Sequence, residues 1–259
     1  MINTPIKAAK SASKILIENF GKIKSEDIKE KERNDFLTFV DTSAEKIIID
    51  ILLKNYPDHS ILAEETGWQK QSSEYQWIID PLDGTKNYIS GIPNFSISIA
   101  LRKSDQIILG VILDPIRDEL FTVEKNKGVF LNNRKIQVSN ETQMQKCLIG
   151  TGFPFKLKEH LSTYLKSFHD IFEKSSGVRR MGSAAIDLAY VASGRFDGFW
   201  ELGLSPWDMA AGSLMIEEAG GQISDFWGGD SYLESGYIVA SNGHIHQKMV
   251  QITAKHFPK

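Results

Sequence analysis

The stretch Asp80-Pro81-Leu82-Asp83-Gly84-Thr85 holds the densest chemistry in the chain. It follows the apolar run 77–79, which reads as a strand, and precedes a helix-compatible segment. A proline after Asp80 should stop the strand and turn the chain, so that both acids point the same way. Two carboxylates three residues apart at a strand-to-helix junction make a hard-oxygen cation site. The Leu82 carbonyl lies between them and offers a further ligand. Gly84 and Thr85 supply backbone N–H groups at a helix start, where phosphate binds readily. An isolated Asp-Pro is no more than a turn. Five fixed positions at ~1 in 20 each reduce a chance match in this chain to the order of 10⁻⁴.

Other acids are less telling alone. Glu64-Glu65 follows the short apolar run 61–63 and reads as a solvated pair or as ligands. Asp41 precedes a helix and reads as its N-cap. Asp208, after Pro206-Trp207, suits the first turn of a helix. His244 and His246 sit at a helix start, and His59, His160, His169 and His256 are isolated. Structural or solvent roles are expected for them, because a magnesium site prefers carboxylates. Arg179-Arg180 reads as an exposed or dimer-edge pair, with phosphate steering as the alternative. Lys86 either steers anions or is solvated.

The elements that must position these groups are legible in outline. A first helix starts with Thr4 as cap and Pro5 in its first turn, carries Ile6, Ala9, Ser13, Leu16 and Phe20 on one face, and stops at Gly21. Residues 22–35 are charged and read as a solvated loop. A second helix starts near Thr42, with Ala44, Ile47, Ile48, Ile51 and Leu52 as its apolar stripe, and closes at Pro57. Strands then follow at 61–63, 77–79, 95–101, 107–113, 120–123, 129–131 and 136–138, with Asn132-Asn133 as a turn. Their spacing is too short for crossover helices, so a mainly antiparallel sheet on two helices is expected. From about residue 146 strands (148–151, 178–180, 196–200, 237–240) alternate with helices (157–173, 183–193, 206–219, and one from about 244). The parts are 1–145, of α+β type, and 146–259, of α/β type.

Taken in order, Asp41, Glu64-Glu65, Asp80 to Thr85, Trp207-Asp208 and Gly220-Gly221 resemble the inositol monophosphatase family of lithium-sensitive, magnesium-dependent phosphatases. Matches at Asn34-Asp35, Thr38, the stretch 95–101, Thr151-Gly152-Phe153-Pro154-Phe155 and Gly182-Ser183-Ala184-Ala185 extend the resemblance over nearly the whole chain. The resemblance implies a two-part αβαβα sandwich with metals between the parts. It implies that Glu64, Asp80 and the Leu82 carbonyl hold one Mg²⁺, and that Asp80, Asp83 and Asp208 hold a second. A third, weaker ion lies near Glu64 and Glu65, largely through water, with Lys31 or Lys29 beside it. Gly84 and Thr85 match the phosphate-holding amides, and Thr85 with Asp41 the pair that orients the attacking water. Gly182, Ser183, Ala184 and Glu201 match positions that contact a polyol. Ser205 replaces a histidine common in animal members, so the substrate rim differs from theirs.

The implied reaction is Mg²⁺-dependent hydrolysis of a phosphate monoester, myo-inositol 1-phosphate first, by in-line attack of metal-activated water. Fructose 1,6-bisphosphate and 3′-phosphoadenosine nucleotides are alternative substrates, and a binding protein with vestigial catalysis ranks last. The chemistry is coherent on its own terms. Paired cations clamp phosphate, activate water and stabilise the leaving oxygen. With no cysteine or histidine in the set, no covalent phosphoenzyme is required.

Composition agrees. The 259 residues are 41% hydrophobic and 24% charged, as in a folded globular chain. The balance of 30 bases and 33 acids argues against a dedicated nucleic-acid binder. Setting six cleft acids (Asp41, Glu64, Glu65, Asp80, Asp83, Asp208) apart from the 33 leaves 27 against 30 bases, a slightly basic shell around an acidic site. The lone Cys147 reads as a core residue in a reducing compartment. Lys7, Lys10 and Lys14 break up the N-terminus, which does not read as a signal peptide, and no long apolar run suggests a membrane span. The cytoplasm is the expected location, and a homodimer is expected from the resemblance.

Overall fold

The structure, a computed structural model, describes every residue except Ser25, Asp27, Arg33, Asn34, Lys70 and Ser72; of 29–32, 35 and 36 it describes the backbone alone. The chain opens with α1 (Asn3–Asn19), the hairpin β1 (Ile28–Glu32) and β2 (Asp35–Thr38), and α2 (Phe39–Asn55). Ala8, Ala9, Ala12 and Leu16 of α1 and Ala44, Ile48 and Leu52 of α2 are buried. The small alanines let these helices pack closely.

They cover one face of an eight-stranded sheet built from β3 (Ser60–Ala63), β4 (Gly67–Gln69), β5 (Tyr75–Asp83), β6 (Ser96–Lys103), β7 (Gln106–Asp114), β8 (Glu119–Glu124), β9 (Gly128–Leu131) and β10 (Arg134–Ile136). Its order is β10-β9-β8-β7-β6-β5-β3-β4, and only β3 and β5 run parallel. A five-stranded sheet follows from β11 (Leu148–Thr151), β12 (Gly177–Arg179), β13 (Gly198–Leu202), β14 (Gln222–Ser224) and β15 (Tyr237–Ser241), in the order β12-β11-β13-β15-β14. It mixes parallel pairs at β11 with antiparallel pairs at β15. The helices α5 (Ala184–Ala192) and α6 (Pro206–Glu218) lie between the sheets, while α4 (Leu161–Lys174) and α8 (His246–His256) cover the far face. The short helices α3 (Thr85–Ile89) and α7 (Tyr232–Ser235) complete the chain. The result is the expected αβαβα layering.

Strand alternation sorts side chains between cores. On β5, Trp77 and Ile79 face α1 and α2, whereas Ile78 faces α5 and α6. Asp80, two residues after Ile78, therefore belongs to the inner face. No helix among the described residues is long and apolar enough to cross a membrane.

The structure corrects several local expectations. Within the stretch 22–35 expected as a loop, 28–32 forms β1 and pairs with β2 at 35–38; β1 is almost wholly charged, so no apolar alternation marks it. The first helix starts at Asn3, before Thr4. The second starts at Phe39, and Thr38 rather than Asp41 is its N-cap. Pro81 does not end its strand: β5 continues to Asp83 through an irregularity. The helix expected over 157–173 begins as α4 at Leu161. The strands β4 and β14 and the helix α7 are too short to leave a sequence signal.

Candidate active site

The irregularity in β5 builds the centre of the site. Asp80 pairs with Ser98 of β6, but the next partner, Ser96, faces Asp83. Three steps on β5 thus answer two on β6, one residue too many. That extra residue is a bulge, and it shifts the alternation by one. In an unbroken strand Asp80 and Asp83 would point to opposite faces. Here Leu82 turns into the outer core and Asp83 joins Asp80 on the inner face. Proline suits such a point because it lacks the N–H a ladder needs.

The third acid comes from α6. Ser205 caps this helix, Pro206 occupies its first turn, and Asp208 completes a capping box by accepting the Ser205 N–H at 2.7 Å. Oxygens of Asp80, Asp83 and Asp208 all lie within 4.8 Å of one another. Asp83 also caps α5: its Oδ2 accepts the Ser183 hydroxyl at 2.5 Å and the Ala185 N–H at 2.8 Å. Helix N-termini stabilise carboxylates and attract anions.

These acids are held against their ordinary ionisation. Burial first, then the charges of Glu64, Asp83 and Asp208, hold the Asp80 carboxyl well above the usual range, with the Leu82 N–H opposing. Burial and Asp208 push Asp83 up to about 7, against its bonds from Ser183 and Ala185. Such a cluster favours a bound cation, which removes the repulsion. The donors are all oxygen, so the residues fit Mg²⁺ rather than a thiolate- or imidazole-loving metal.

A second layer sits on α2. Asp41 accepts the Thr38 N–H at 2.8 Å and the Thr38 hydroxyl at 2.6 Å through Oδ2. Its Oδ1 lies 3.3 Å from the Thr85 hydroxyl, which is also 3.0 Å from the Leu82 carbonyl. The expected Thr85–Asp41 pair is therefore in contact. Glu64 and Glu65 lie in the turn between β3 and β4, where the Glu64 N–H donates to the Ile79 carbonyl beside Asp80. The side chains of Lys29 and Lys31 fall outside the described residues.

Gly84 precedes α3 with φ +96°, in the left-handed region. A Cβ there would sit 3.1 Å from the carbonyl oxygens of both Asn94 and Gly182. Only glycine combines that φ with this close approach. The Asn87 amide spans the same junction, donating to the Asn94 carbonyl at 2.7 Å and the Met181 carbonyl at 2.8 Å. Asp83, Gly84, Thr85, Ser183, Glu201 and Asp208 line a cleft of about 170 Å³. Gly182 and Ala184 line it too. Glu201 reaches it across Gly152, where any Cβ would overlap its carboxylate. Burial raises Glu201 to about 8, with Arg180 opposing and Asp208 and Asp83 adding to the rise.

Sequence reasoning missed three features. Glu45, buried on α2, accepts the Glu65 N–H at 2.8 Å and the Thr66 N–H at 2.9 Å. Its position one turn after Asp41 was the available signal. Asp187 on α5 is buried with no hydrogen-bond partner for either oxygen among the described residues. At the rim, Lys86 Nζ lies 4.5 Å and Arg180 Cζ 4.9 Å from the centre of the Phe155 ring, so two cations share one aromatic. Of the histidines, His246 is buried between the hydroxyls of Ser224 and Ser241, at 2.9 and 3.1 Å.

Comparison with known proteins gives a consistent picture. The family model described as "Inositol monophosphatase family" matches residues 1–257. Nus factor SuhB of Pseudomonas aeruginosa is 43% identical over 263 residues, covering 100% of this chain and 97% of the relative. The crystal structure of extragenic suppressor protein suhB from Bartonella henselae superposes with a TM-score of 0.95 at 41% identity, covering 98% of each chain. The inositol monophosphatase from Anabaena superposes with a TM-score of 0.88 at 37% identity, covering 99% of this chain and 96% of that one.

Proposed function

The chain belongs to the inositol monophosphatase family, and on that premise we propose that it hydrolyses a phosphorylated polyol, myo-inositol 1-phosphate first, with two or three Mg²⁺ ions. The convergence of Asp80, Asp83 and Asp208 within 4.8 Å carries this reading. When bound, Mg²⁺ supplies charge neutralisation, water activation and stabilisation of the leaving oxygen. Glu64, Asp80 and the Leu82 carbonyl would hold one ion, Asp80, Asp83 and Asp208 would hold the other, and Glu65 would bear on a third. Thr85, oriented by Asp41, directs the attacking water at phosphorus. The Gly84 and Thr85 N–H groups fix the phosphate, while Gly182, Ser183, Ala184 and Glu201 face the polyol. Cytoplasmic location, a homodimer and inhibition by Li⁺ belong to the same proposal.

The cations sharing Phe155 favour a second reading, a substrate with a further anionic group: fructose 1,6-bisphosphate or a 3′-phosphoadenosine nucleotide. A substrate panel with and without Mg²⁺ decides between them. Preference for myo-inositol 1-phosphate in kcat/KM supports the first reading, and a large preference for a bisphosphate or nucleotide overturns it. The relatives named Nus factor SuhB support a role as a Nus factor beside catalysis. Complementation of a SuhB-deficient Pseudomonas aeruginosa strain by a catalytically dead variant separates the two roles.

A further inference from the structure

We propose that Glu45 is a positioning residue for the cation site: it clamps the 64–66 turn in the orientation that brings Glu64 to Asp80. The inference rests on the phosphatase reading above. Glu45 is 1% exposed, and each of its oxygens takes one backbone N–H, Oε2 from Glu65 and Oε1 from Thr66. Two bonds to consecutive residues fix the rotation of the peptide planes as well as their position. On the other side of the turn, the Glu64 N–H is tied to the Ile79 carbonyl, one residue before Asp80. The 64–66 turn is thus gripped both by β5, the strand that carries Asp80, and by α2.

The helix adds a second constraint. Asp41 and Glu45 are one turn apart and both buried, so they extend the inward face that continues as Ile48 and Leu52. Asp41 indexes Thr85, and Glu45 indexes Glu65 and Thr66, the residues that follow Glu64 in the turn. One rigid element therefore sets the water-directing pair and the acidic turn in a common frame. Taking a carboxylate out of water is costly unless donors meet its oxygens, and here the Glu65 and Thr66 N–H groups do so. Its use is intelligible if the turn must be held to the tolerance a metal site requires. Groups that orient metal ligands in this way typically change metal affinity or activity by about 10–100-fold when removed.

Glu45→Gln is the direct test, because the amide can accept only one of the two N–H groups and turns a donor toward the other. Mg²⁺ alone is titrated calorimetrically into wild type, Glu45→Gln and Glu45→Asp, and the Mg²⁺-induced rise in Tm is recorded on the same proteins. Glu45→Gln is expected to bind Mg²⁺ about 10–100-fold more weakly and to need correspondingly more for half-maximal turnover. Its KM for substrate at saturating Mg²⁺ should be unchanged. Glu45→Asp, which keeps the charge on a shorter arm, should recover part of the affinity. It also carries the test if Glu45→Gln does not fold, by binding Mg²⁺ more weakly than wild type. A folded Glu45→Gln of lowered Tm with wild-type Mg²⁺ affinity would reduce Glu45 to a prop for the hairpin and overturn the proposal. Failure of wild type itself to bind Mg²⁺ would instead overturn the phosphatase reading, and this inference with it.

Discussion

Asp80 and Asp225 are equally inaccessible, each 1% exposed and each close to the end of a strand. Their surroundings are opposite. Asp225 accepts N–H groups from Trp227 and Gly229 and the Ser231 hydroxyl, all at 2.8–2.9 Å. Burial works to raise its pKa, but these donors and Lys259 overcome it, and Asp225 is held below the usual carboxylate range. Asp80 accepts one N–H, from Leu82, and faces three other acids, so burial and repulsion drive it up. A buried carboxylate with a donor for each oxygen organises a loop. A buried carboxylate among its own kind is arranged for a cation. Burial alone does not distinguish them; the ratio of donors to charges does.

The comparison breaks most sharply at Asp80. Asp80→Asn should lower Mg²⁺-dependent turnover by about 10³-fold, several kcal/mol of transition-state stabilisation. Its metal-free Tm should equal or exceed that of wild type, because a repelling charge is gone. Near-normal turnover, or an unfolded protein, would place Asp80 in the same class as Asp225. The reverse experiment is Asp225→Ala. It strands two backbone N–H groups and a hydroxyl and should cost about 2–4 kcal/mol in chemical denaturation. Calorimetric Mg²⁺ affinity should not change.

Titration sharpens the same contrast. Asp83 near 7 and Glu201 near 8 lie far above unfolded carboxylates, at about 4. Between those limits the folded chain holds more protons, so their contribution is complete below about pH 4 and lost as pH rises through 7–8. Without divalent cations, Tm should therefore decline from pH 5 to pH 8. Mg²⁺, which needs ionised ligands, should restore it more at pH 8 than at pH 5. A flat metal-free profile would mean the acids do not repel. The smallest effect concerns His246, which burial depresses to about 4 from its ordinary 6.5. Here the unfolded chain takes up the proton first, so stability falls as pH drops from about 6.5 to 4. In urea melts at pH 5 and pH 7, His246→Gln should show less of this acid-side loss than wild type.

Much of the candidate site could be read along the chain because its acids stand in three short stretches, at 64–65, 80–83 and 208. Asp80, Asp83 and Asp208 stand beside prolines and glycines whose local roles are strong, and α6 begins with a capping box that a sequence displays openly. The charged strand β1 gave no such sign, since charge without apolar alternation looks like a loop. Asp41 was expected to cap a helix, yet Thr38 does so; a capping box uses both positions, and composition does not say which is first. The partners of Glu45 lie at Glu65 and Thr66, beyond the reach of any local pattern.

The sequence by itself determined the inventory: an all-oxygen set of acids, a Gly84-Thr85 turn at a helix start, and the strands and helices that carry them. These follow from residue type and short spacing, which act over a few bonds. Tertiary structure decided how the inventory is aimed. Whether Asp80 and Asp83 share a face depends on one extra residue against β6. Glu45 acts on a turn 20 residues away, and Lys86 and Arg180, far apart in the chain, both lie over Phe155. Register and long-range contact depend on how whole layers pack, and no local pattern of residues encodes them.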